Sequence, residues 1–373
     1  MRIILIRSNS VMPDPRVEKE VNSLIAYGHQ VKILSWDRQN DSQSRKNGEI
    51  TLSKGVVPIR WFLIKAGFGE GIKTLWALLI FQIYILLWLV KHNREYDAIH
   101  ACDFDTSIPA CLCSKFFKKK LVYDIFDYYV DAFQVPKSLK TLIEKIDIKI
   151  INSADAVIIT NESRQRQISK SNPKKVAVIH NSPETDFESN PMFKENSKKR
   201  IVYVGILSED RLLMEIVRSI AGSDIVELHI GGFGFLEREI KEYSEKYSNI
   251  FFYGKLRYSD TLKLEDNCDI LIAVYNPQIP NHKYSSPNKL YEAMMLGKPI
   301  IVAKETGIDE LVDLYELGRS VEYNIGSFEI ALYEIIQKEN EWISLKERSQ
   351  SLYQQKYSWN IMDLRLKKLY EDL

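Results

Sequence analysis

Short apolar runs alternate with amphipathic stretches along the chain, in the rhythm of strands followed by helices. Residues 16–27, between the first two apolar runs, carry Val17, Val21 and Leu24 at the spacing of one helix face, and Gly28 then predicts a left-handed cap. Strand, helix and strand in this order predict a parallel sheet with right-handed crossovers. The candidate strands of the first half are 3–6, 31–35, 98–100, 121–124 and 156–160.

The pattern stops in residues 181–199, which are polar, contain two prolines and read as a linker. Apolar runs then resume, with helical patterns between them, at 201–205, 227–230, 250–253, 270–274 and 299–302. We therefore expect an α/β protein of two doubly wound domains, with ligands bound in a deep cleft at the carboxyl ends of the strands. The expected boundaries are 1–180, 200–350 and a final helix within 351–373 that packs back on the first domain.

Residues 75–90 (LWALLIFQIYILLWLV) contain Gln82 as their only strongly polar side chain. As a helix this segment would be about 24 Å long, shorter than the ~30 Å hydrocarbon core of a bilayer, which argues against a full span. Two interpretations stay open: a buried core helix, or a helix that lies at a membrane surface. The second would expose four aromatic side chains: Trp76, Phe81, Tyr84 and Trp88.

Charge is distributed unevenly. The net charge of +1 argues against a nucleic-acid partner, but residues 1–180 hold 27 Lys and Arg against 18 Asp and Glu, and the remainder has an acidic excess of eight. A basic first half favours an anionic partner, either a phospholipid surface or a phosphorylated acceptor. Part of this charge is a run that could also be a solvated loop: Lys115, Lys118, Lys119 and Lys120.

The cysteines and the N-terminus indicate a cytoplasmic location. Cys102, Cys111, Cys113 and Cys268 are too few and too scattered for a disulfide framework or a zinc site, so buried thiols are expected. The apolar run at the start stops at Arg7, which is too short for a signal peptide and fits a buried first strand.

Two glycine-containing turns follow strands of the second half. Gly205 leads within six residues to Arg211, and a guanidinium near a helix start suits a pyrophosphate. Gly232 and Gly234 follow another strand, where glycine permits close backbone approach to a ligand. The second turn lacks a complete G-x-G-x-x-G pattern because Glu237 occupies its last position, and a simple tight turn explains it equally well.

Residues 285–299 (SSPNKLYEAMMLGKP) are the most informative stretch. Pro287 predicts a helix start, which places Asn288 and Lys289 in the first turn, where backbone amides and an ammonium can bind phosphate. Glu292 lies one turn further on and can accept hydrogen bonds from ribose hydroxyls. Gly297 predicts the end of this helix.

The run PNKLYEAMMLGKPII resembles the donor-binding segment of retaining GT-B glycosyltransferases of family four, the glycosyl transferases group 1. Further segments resemble this family in the same order along the chain. They are PDPRVEKEVNSLIAYGHQVKILSWDR, YDAIHACDFDT, KLVYDIFDYY, SADAVIITNESRQRQI, VYVGILSEDR, LHIGGFG and FFYGKL.

The resemblance implies two facing Rossmann-like domains and sugar transfer with retention of configuration, without a bound metal or other cofactor. Glu292 would be the second acid of the E-x7-E motif and bind the donor ribose, and Arg211 would hold the donor phosphates. Lys289 and the amides from Asn288 to Leu290 would lie beside the pyrophosphate. Residues 253–256, from Tyr253 to Leu256, would flank the base, largely through backbone contacts.

Four positions depart from the family pattern. The first acid of E-x7-E falls at Tyr284, and a family histidine near the reacting sugar falls at Phe126. The arginine that often follows the glycine of the second domain's first strand is Ile206. The glycine-rich N-terminal loop is replaced by residues 8–16. These departures weaken the catalytic assignment more than the fold assignment.

Cationic Arg211 and Lys289 would stabilise the leaving nucleotide diphosphate, and Asp103 and Asp127 are further catalytic candidates. Asp14, His100, Asp103 and Asp127 are candidates for positioning the acceptor or the sugar, although Asp14 also suits a turn and His100 a buried core position.

We therefore expect a glycosyltransferase that moves a sugar from a nucleotide-sugar donor to a lipid-linked or polysaccharide acceptor. It would act at the cytoplasmic face of the plasma membrane, bound peripherally to the anionic surface. Two alternatives are a catalytically inactive relative that binds a sugar nucleotide or supports a partner enzyme, and a nucleotide-sugar epimerase. The epimerase fits poorly, and the Arg211, Lys289 and Glu292 set argues against a pure scaffold.

Overall fold

The computed structural model describes residues 1–38, 46–67, 72–132, 137–184, 192–193 and 197–373. The chain forms two compact units, Met1–Ile179 with Met362–Leu373, and His180–Ile361. The predicted linker falls partly on residues 185–191 and 194–196, which lie outside the described residues.

The first unit is built on one eight-stranded sheet. Its strands are β1 (Arg2–Arg7), β2 (Gln30–Asp37), β3 (Asn47–Leu52), β4 (Gly55–Leu63), β5 (Ala98–Cys102), β6 (Lys120–Ile125), β7 (Ala156–Ile159) and β8 (Val176–Val178). Their order is β3-β4-β2-β1-β5-β6-β7-β8, and every neighbouring pair is parallel except β3 and β4. The order reverses between β1 and β5, where open parallel sheets place their ligands beyond the carboxyl ends of the strands.

The apolar runs of the first half correctly predict five of these strands, but β3, β4 and β8 are additional. The hairpin of β3 and β4 has only one buried face, so Ile50, Val57 and Ile59 alternate with exposed or half-buried side chains. Such short alternations lack the continuous apolar run that marks the strands in the middle of the sheet.

Within the described residues up to Ile179, six α-helices accompany the sheet of the first unit: α1 (Pro15–Ala26), α2 (Ile72–Lys91), α3 (Phe104–Phe117), α4 (Tyr129–Ala132), α5 (Lys137–Ser153) and α6 (Arg164–Gln167). The predicted helix is confirmed as α1, and Gly28 follows it with a φ of 79°. The Asp14 carboxylate accepts a hydrogen bond from the Val17 amide, while Glu18 accepts one from the Asp14 amide. These two hydrogen bonds satisfy amides at the helix start much as a capping box does, although the acid that binds the Asp14 amide lies one residue later, at Glu18.

Helix α2 contains the apolar segment and is longer than the sequence suggested. Its 20 residues extend about 30 Å, so length alone does not exclude a membrane span, and the window Thr74–Lys91 has a mean hydropathy of 1.9. One face packs into the core of the first unit through Ala77, Phe81, Ile85 and Leu89. The interpretation that Phe81 faces a bilayer is therefore wrong.

The outer face of α2 is apolar as well as exposed. The side chains that carry it are Leu75, Trp76, Leu79, Ile80, Ile83, Tyr84, Leu87 and Val90, each at least 41% exposed. Only 22% of the Thr74–Lys91 window is buried inside the structure. Trp88 is half-buried and stacks on His92, with ring centroids 4.1 Å apart. Each of the two interpretations therefore describes only one face of α2: one face packs in the core of the first unit, and the other is exposed and has no packing partner within the described residues.

The basic run is not a solvated loop. Lys115 lies in the last turn of α3, Lys118 caps that helix in a left-handed conformation, and Lys120 begins β6. Lys119 places its ammonium over the ring of Tyr96, 5.4 Å from the centroid.

The second unit contains a fully parallel six-stranded sheet. Its strands are β9 (Lys199–Ile206), β10 (Val226–Phe233), β11 (Ile250–Phe252), β12 (Ile270–Ala273), β13 (Ile300–Ala303) and β14 (Gly318–Val321). The order β11-β10-β9-β12-β13-β14 reverses between β9 and β12. The sequence predicts the first five strands, whereas β14 is a short edge strand without a continuous apolar run.

Eight helices complete the described chain: α7 (Leu213–Ile220), α8 (Glu237–Lys246), α9 (Tyr258–Asp266), α10 (Asn288–Leu296), α11 (Asp309–Leu314), α12 (Ile325–Gln337), α13 (Trp342–Leu352) and α14 (Trp359–Glu371). Residues of α14 from Met362 onward belong to the first unit, where Arg365 donates a hydrogen bond to the Val178 carbonyl. The final helix predicted within residues 351–373 is confirmed as α14, and α13 and a π-helical turn over Tyr353–Tyr357 precede it.

Candidate functional site

The carboxyl end of β9, at the point where the strand order of the second unit reverses, meets the first turn of α10. A Cβ added at Gly205 would lie 2.9 Å from Lys289 Nζ and 3.3 Å from the Tyr203 hydroxyl. Gly205 therefore leaves room for the Lys289 ammonium, which lies over the Tyr203 ring 4.6 Å from its centroid. The sequence predicted both residues for the donor site, and the structure brings them together.

Lys289 keeps its charge although the residue is only 9% exposed. Burial disfavours the ammonium, but Tyr275, Tyr203, Glu292 and the nearby Glu265 outweigh burial and raise the pKa of Lys289. Burial also raises the pKa of Tyr203 to about 12, so this phenol is neutral at physiological pH. The result is a fixed positive charge at the carboxyl edge of the sheet.

Helix α10 begins and ends where the sequence predicts. Pro287 precedes Asn288 in an extended conformation, and Gly297 ends the helix with a φ of 68°. The first amides of a helix have no partner within it and are suited to an anion. Leu290 departs from the prediction, because its amide donates to the Pro287 carbonyl at 3.3 Å and its side chain is fully buried. Asn288 and Lys289 therefore remain the candidates among the three predicted amides.

Arg211 lies close to the same cation. Its guanidinium stacks over the ring of Tyr275, 4.2 Å from the centroid, and Tyr275 also acts on the pKa of Lys289. Arg211 Nε is buried without a hydrogen-bond partner within the described residues, although the Asp210 carboxylate lies 3.8 Å from it as an ion-pair partner. The residue occupies a short 3-10 turn, and Leu212 with a φ of 56° separates it from α7. Arg211 thus lies just before the first turn of α7, near a helix start as the sequence suggested.

A group of polar residues that was not predicted from the sequence lies beside Arg211. Asp210 accepts a hydrogen bond from Ser208, and its carboxylate lies 3.3 Å from His282 Nε2. His282 is 7% exposed, and its Nδ1 lies 2.9 Å from the Asn276 carbonyl oxygen. The position of His282 just before the PNKLYE run was the available signal. The adjacent Tyr284, which replaces the first family acid, ends the same 3-10 turn and is half-buried.

Glu292 lies one turn beyond Lys289 and is 2% exposed. Its carboxylate lies near Glu265 of α9 and near Tyr258, whose pKa is raised by burial and by Glu292. Burial and the neighbouring Glu292 raise the pKa of Glu265 well above its ordinary value, although Lys289 opposes the shift. A protonated Glu265 can donate to an ionised Glu292. Glu265 was also missed, although an acid among the buried positions of α9 was a usable signal.

The glycines after β10 bring that strand close to the β9 loop. A Cβ at Gly232, where φ is 136°, would overlap the Gly205 carbonyl oxygen, and one at Gly234 would lie 2.5 Å from the Leu207 carbonyl oxygen. The Gly232 amide donates to the Gly254 carbonyl at 2.7 Å. The close approach that these glycines permit is therefore to the protein's own backbone.

The side chains of the two residues expected to flank a base contact other residues of the same chain. The hydroxyl of Tyr253 lies 2.8 Å from His229 Nδ1, and the two rings stack. Leu256 packs on β10, where its Cδ1 would lie 2.8 Å from a Cβ at Gly231. Any contribution to base binding from Tyr253 would therefore come from its backbone.

In the first unit, Arg7 contacts two of the aspartates predicted as site residues, at the carboxyl ends of β1 and β5. Arg7 forms ion pairs with Asp14, at 3.0 Å, and with Asp103. Asp103 also accepts hydrogen bonds from the amides of Phe126 and Asp127, at 2.9 and 3.1 Å. The sequence did not identify Arg7, although a cation at the end of a buried strand near the point of reversal was a signal.

The two candidate catalytic aspartates differ in environment. Burial raises the pKa of Asp103 to about 6, while Arg7 opposes the shift and Asp127 adds to it. Asp127 has a side chain that is 50% exposed and forms an ion pair with buried Arg164 at 3.0 Å. Asp127 is therefore the more accessible of the two carboxylates.

Two of the residues proposed to position the acceptor or the sugar have structural partners instead. Asp14 is the N-cap of α1 and also accepts hydrogen bonds from Arg7 and Asn9. His100 has no exposed surface, with Nδ1 2.7 Å from the Tyr370 hydroxyl and Nε2 3.4 Å from Asp124. His100 is therefore the core histidine of the two alternatives, and its enclosed side chain does not position the acceptor or the sugar.

Phe126 occupies the position where the family pattern places a histidine. Its ring lies between the guanidinium groups of Arg7 and Arg16, 4.1 and 4.6 Å from the ring centroid. Cation–π contacts take the place of the hydrogen bonds that a histidine would form.

His100, Cys102 and Asp124 bring potential ligand atoms within 4.8 Å of one another. Arg16 already donates to both oxygens of the Asp124 carboxylate, at 3.0 and 3.3 Å, and would repel a metal cation. Burial raises the pKa of the Cys102 thiol well above its ordinary value, so the thiolate that a metal prefers is disfavoured. These residues form a structural network rather than a convincing metal site.

The two-sheet architecture matches solved glycosyltransferase structures over the whole chain. Sucrose-phosphate synthase from Thermosynechococcus elongatus is similar with a TM-score of 0.77 and 16% identity, covering 100% of this chain and 98% of that chain. Anabaena HepE in complex with UDP and glucose has a TM-score of 0.70 and 15% identity, covering both chains completely. WaaG, a glycosyltransferase involved in lipopolysaccharide biosynthesis, has a TM-score of 0.68 and 11% identity over 99% of each chain. The fold is therefore that of the GT-B glycosyltransferases, with two Rossmann-like domains.

The family resemblance is confirmed in the second unit. Residues 198–338 match the family model described as glycosyl transferases group 1. This segment contains β9 to β14 and every residue predicted to bind the donor, so the second unit is similar to the glycosyl transferases group 1 family over the donor site. No curated protein sequence matches the chain.

Proposed function

We propose that the protein is a retaining glycosyltransferase that moves a sugar from a nucleotide-sugar donor to a lipid-linked or polysaccharide acceptor. The observation that carries the proposal is the pair of cations at the carboxyl end of β9. Arg211 lies over the ring of Tyr275, and Lys289 lies over the ring of Tyr203 in the first turn of α10, near enough to Tyr275 for that residue to affect the pKa of Lys289. Two fixed positive charges next to helix amides are suited to a diphosphate.

The same groups would assist departure of the nucleotide diphosphate. Negative charge grows on the leaving phosphate as the glycosidic bond breaks, and Lys289 and Arg211 would stabilise that charge most strongly when the bond is broken. Two cations and the helix amides would do the work for which many transferases use a metal, so we propose that no metal is required. Glu292, which lies near Glu265 and Tyr258, would accept hydrogen bonds from the ribose hydroxyls.

Retention of configuration would follow if the acceptor hydroxyl attacks from the face that the leaving group departs and a donor phosphate accepts its proton. No pair of carboxylates is then needed as in glycoside hydrolysis. The aspartates Asp103 and Asp127 would orient the sugar or the acceptor, with Asp127 the better candidate because it is exposed.

The exposed apolar face of α2 supports a membrane-bound acceptor. Its outer face exposes eight large apolar side chains in one stripe, which is more apolar surface than a water-exposed helix normally carries. Binding of this face to the anionic cytoplasmic surface of the plasma membrane would bring the enzyme to lipid-linked saccharides. The enzyme would then act in the synthesis of a cell-surface polysaccharide.

A screen of UDP, ADP, GDP, CMP and dTDP together with their sugar conjugates tests the donor site by thermal stabilisation. We expect one nucleotide class to stabilise the protein, and Glu292→Ala to abolish the shift. Solved relatives were crystallised with UDP, UDP-glucose and ADP, which makes these the first ligands to test. No shift with any nucleotide would overturn the proposed donor site.

A catalytically inactive relative is the second candidate, because Tyr284 replaces an acid and Phe126 a histidine of the family pattern. Incubation of the stabilising nucleotide sugar with lipid-linked saccharides distinguishes the two. Release of free nucleotide with product formation supports the enzyme. Donor binding without transfer, unchanged by Tyr284→Glu, supports the accessory role.

A further inference from the structure

A groove of about 720 Å³ lies in the first unit between the hairpin of β3 and β4 and the C-terminal half of α2. Its volume is in the range of small-molecule sites. The groove contains none of the residues discussed above for donor binding or transfer. The side chains that define its chemistry are Lys32, Lys46, Arg60, Lys91, Trp61 and Trp88.

The groove is cationic. Four of its lining residues are lysine or arginine, and none of the lining residues described is acidic. Arg60 donates a hydrogen bond to Asn47 at 2.8 Å, and its Nε is buried without a partner within the described residues. Lys32 lies over the ring of Trp88, 5.0 Å from the centroid. Four cations that line one groove without a described carboxylate favour an anionic ligand.

The groove is also continuous with the exposed apolar face of α2. Tyr84 and Leu87 line it, and they are 46% and 60% exposed as members of that face. Trp61 and Trp88 add indole rings, which are enriched at the boundary between membrane hydrocarbon and water. A cationic pocket at the end of an apolar stripe is complementary to a molecule with an anionic head and an apolar body.

We propose that this groove binds the phosphate-bearing headgroup of an anionic membrane phospholipid while the outer face of α2 lies among the acyl chains. The inference rests on the proposed membrane association and assigns its headgroup contacts to Arg60, Lys91 and Lys32. A free phosphate ion would use the charges but not the apolar rim, so the lipid explains both halves of the surface. The basic cluster at the end of α3 then contributes only general attraction.

The test uses the full chain and sedimentation with vesicles of phosphatidylcholine, with or without phosphatidylglycerol, at low salt. Each basic residue near an anionic membrane is worth about 1 kcal/mol, or roughly fivefold in partitioning. We expect Arg60→Gln combined with Lys91→Gln to weaken binding to the anionic vesicles about 25-fold. The matched control, Lys170→Gln with Lys174→Gln, removes the same charge from exposed positions of the same unit and should change binding little. Leu87→Gln leaves every groove cation in place and should weaken binding as well.

Soluble ligands separate a lipid site from a phosphate site. We expect dihexanoyl-phosphatidylglycerol below its micelle concentration to stabilise the wild type thermally, but not the Arg60/Lys91 variant. Glycerol 3-phosphate and inorganic phosphate should stabilise the wild type much less. Equal stabilisation by all three would show a phosphate site and overturn the lipid assignment.

The failures are distinguishable from one another. Wild-type protein that ignores anionic vesicles overturns both the membrane association and the groove. Wild-type protein that binds them, with the groove variant equal to its control, overturns the groove alone. Preferential loss in a Lys115→Gln/Lys118→Gln variant would assign the headgroup contacts to the end of α3 instead.

Discussion

Removal of the Lys289 ammonium tests the centre of the proposed donor site. In Lys289→Met the side chain keeps most of its length, so packing against Tyr203 and Gly205 is largely preserved while the charge is lost. A hydrogen bond to a charged group contributes about 1.5–3 kcal/mol, which corresponds to a rise of about 10- to 150-fold in the Kd for a nucleoside diphosphate. The nucleoside alone should bind as it does to the wild type.

The substitution also has an effect without ligand. Lys289 opposes the upward pKa shift of Glu265, so its removal raises that pKa further. When the pKa of an acid is higher in the folded than in the unfolded state, the folded protein keeps the proton at pH values between the two pKa values while the unfolded chain loses it. The folded state therefore loses stability as pH rises through this range. The variant should therefore lose stability relative to wild type as pH rises above the ordinary pKa of glutamate, and the difference should disappear below that pKa.

Titration calorimetry with UDP, UMP and uridine, or with the corresponding series of whichever base the screen selects, measures the binding effect. Lys283→Met is the matched control, because Lys283 is an exposed lysine in the 3-10 turn just before α10. The ratio of the uridine and UDP dissociation constants should fall in Lys289→Met and stay unchanged in the control. An unchanged ratio in Lys289→Met would refute the assignment of this ammonium to the diphosphate.

Three further substitutions probe other parts of the structure. Glu292→Gln should raise the Kd for a ribonucleoside diphosphate by about 10-fold or more but leave that of its 2′,3′-dideoxy analogue unchanged, which competition binding would detect; equal losses would contradict the ribose contact. Gly205→Ala should weaken diphosphate binding without preventing folding, because the added Cβ meets the flexible end of Lys289, and circular dichroism with calorimetry separates the two effects; undiminished binding would show that Lys289 need not occupy that space. Burial raises the pKa of Asp147 from 3.8 to about 7, although the hydroxyl of Tyr123 donates a hydrogen bond to its carboxylate. The folded state therefore loses stability progressively as pH rises above 3.8. Between about pH 5 and about pH 8 the wild type should lose about 2.5 kcal/mol more stability than Asp147→Asn in urea unfolding, and parallel pH profiles would contradict this.

The sequence alone determined the elements whose residues interact with near neighbours in the chain. Buried strands such as β1 and β12 are marked by continuous apolar runs, because both faces of these strands are covered. Helix α10 is bounded by Pro287 and Gly297, since proline presets the first turn and glycine tolerates the left-handed end. Lys289 and Glu292 share that helix, so their spacing was also available from the sequence.

Tertiary structure decided what depends on residues far apart in the chain. Glu265 pairs with Glu292, and His100 is enclosed by Asp124 and Tyr370, because folded helices and strands bring these side chains together. The all-round apolar composition of α2 gave no indication of which face would be buried, since periodicity is weak where nearly every position is hydrophobic. Packing against the sheet of the first unit placed Phe81 inside and left Trp76 exposed. Local pattern thus predicts where an element forms, whereas burial and pairing require the three-dimensional neighbours that only the folded chain supplies.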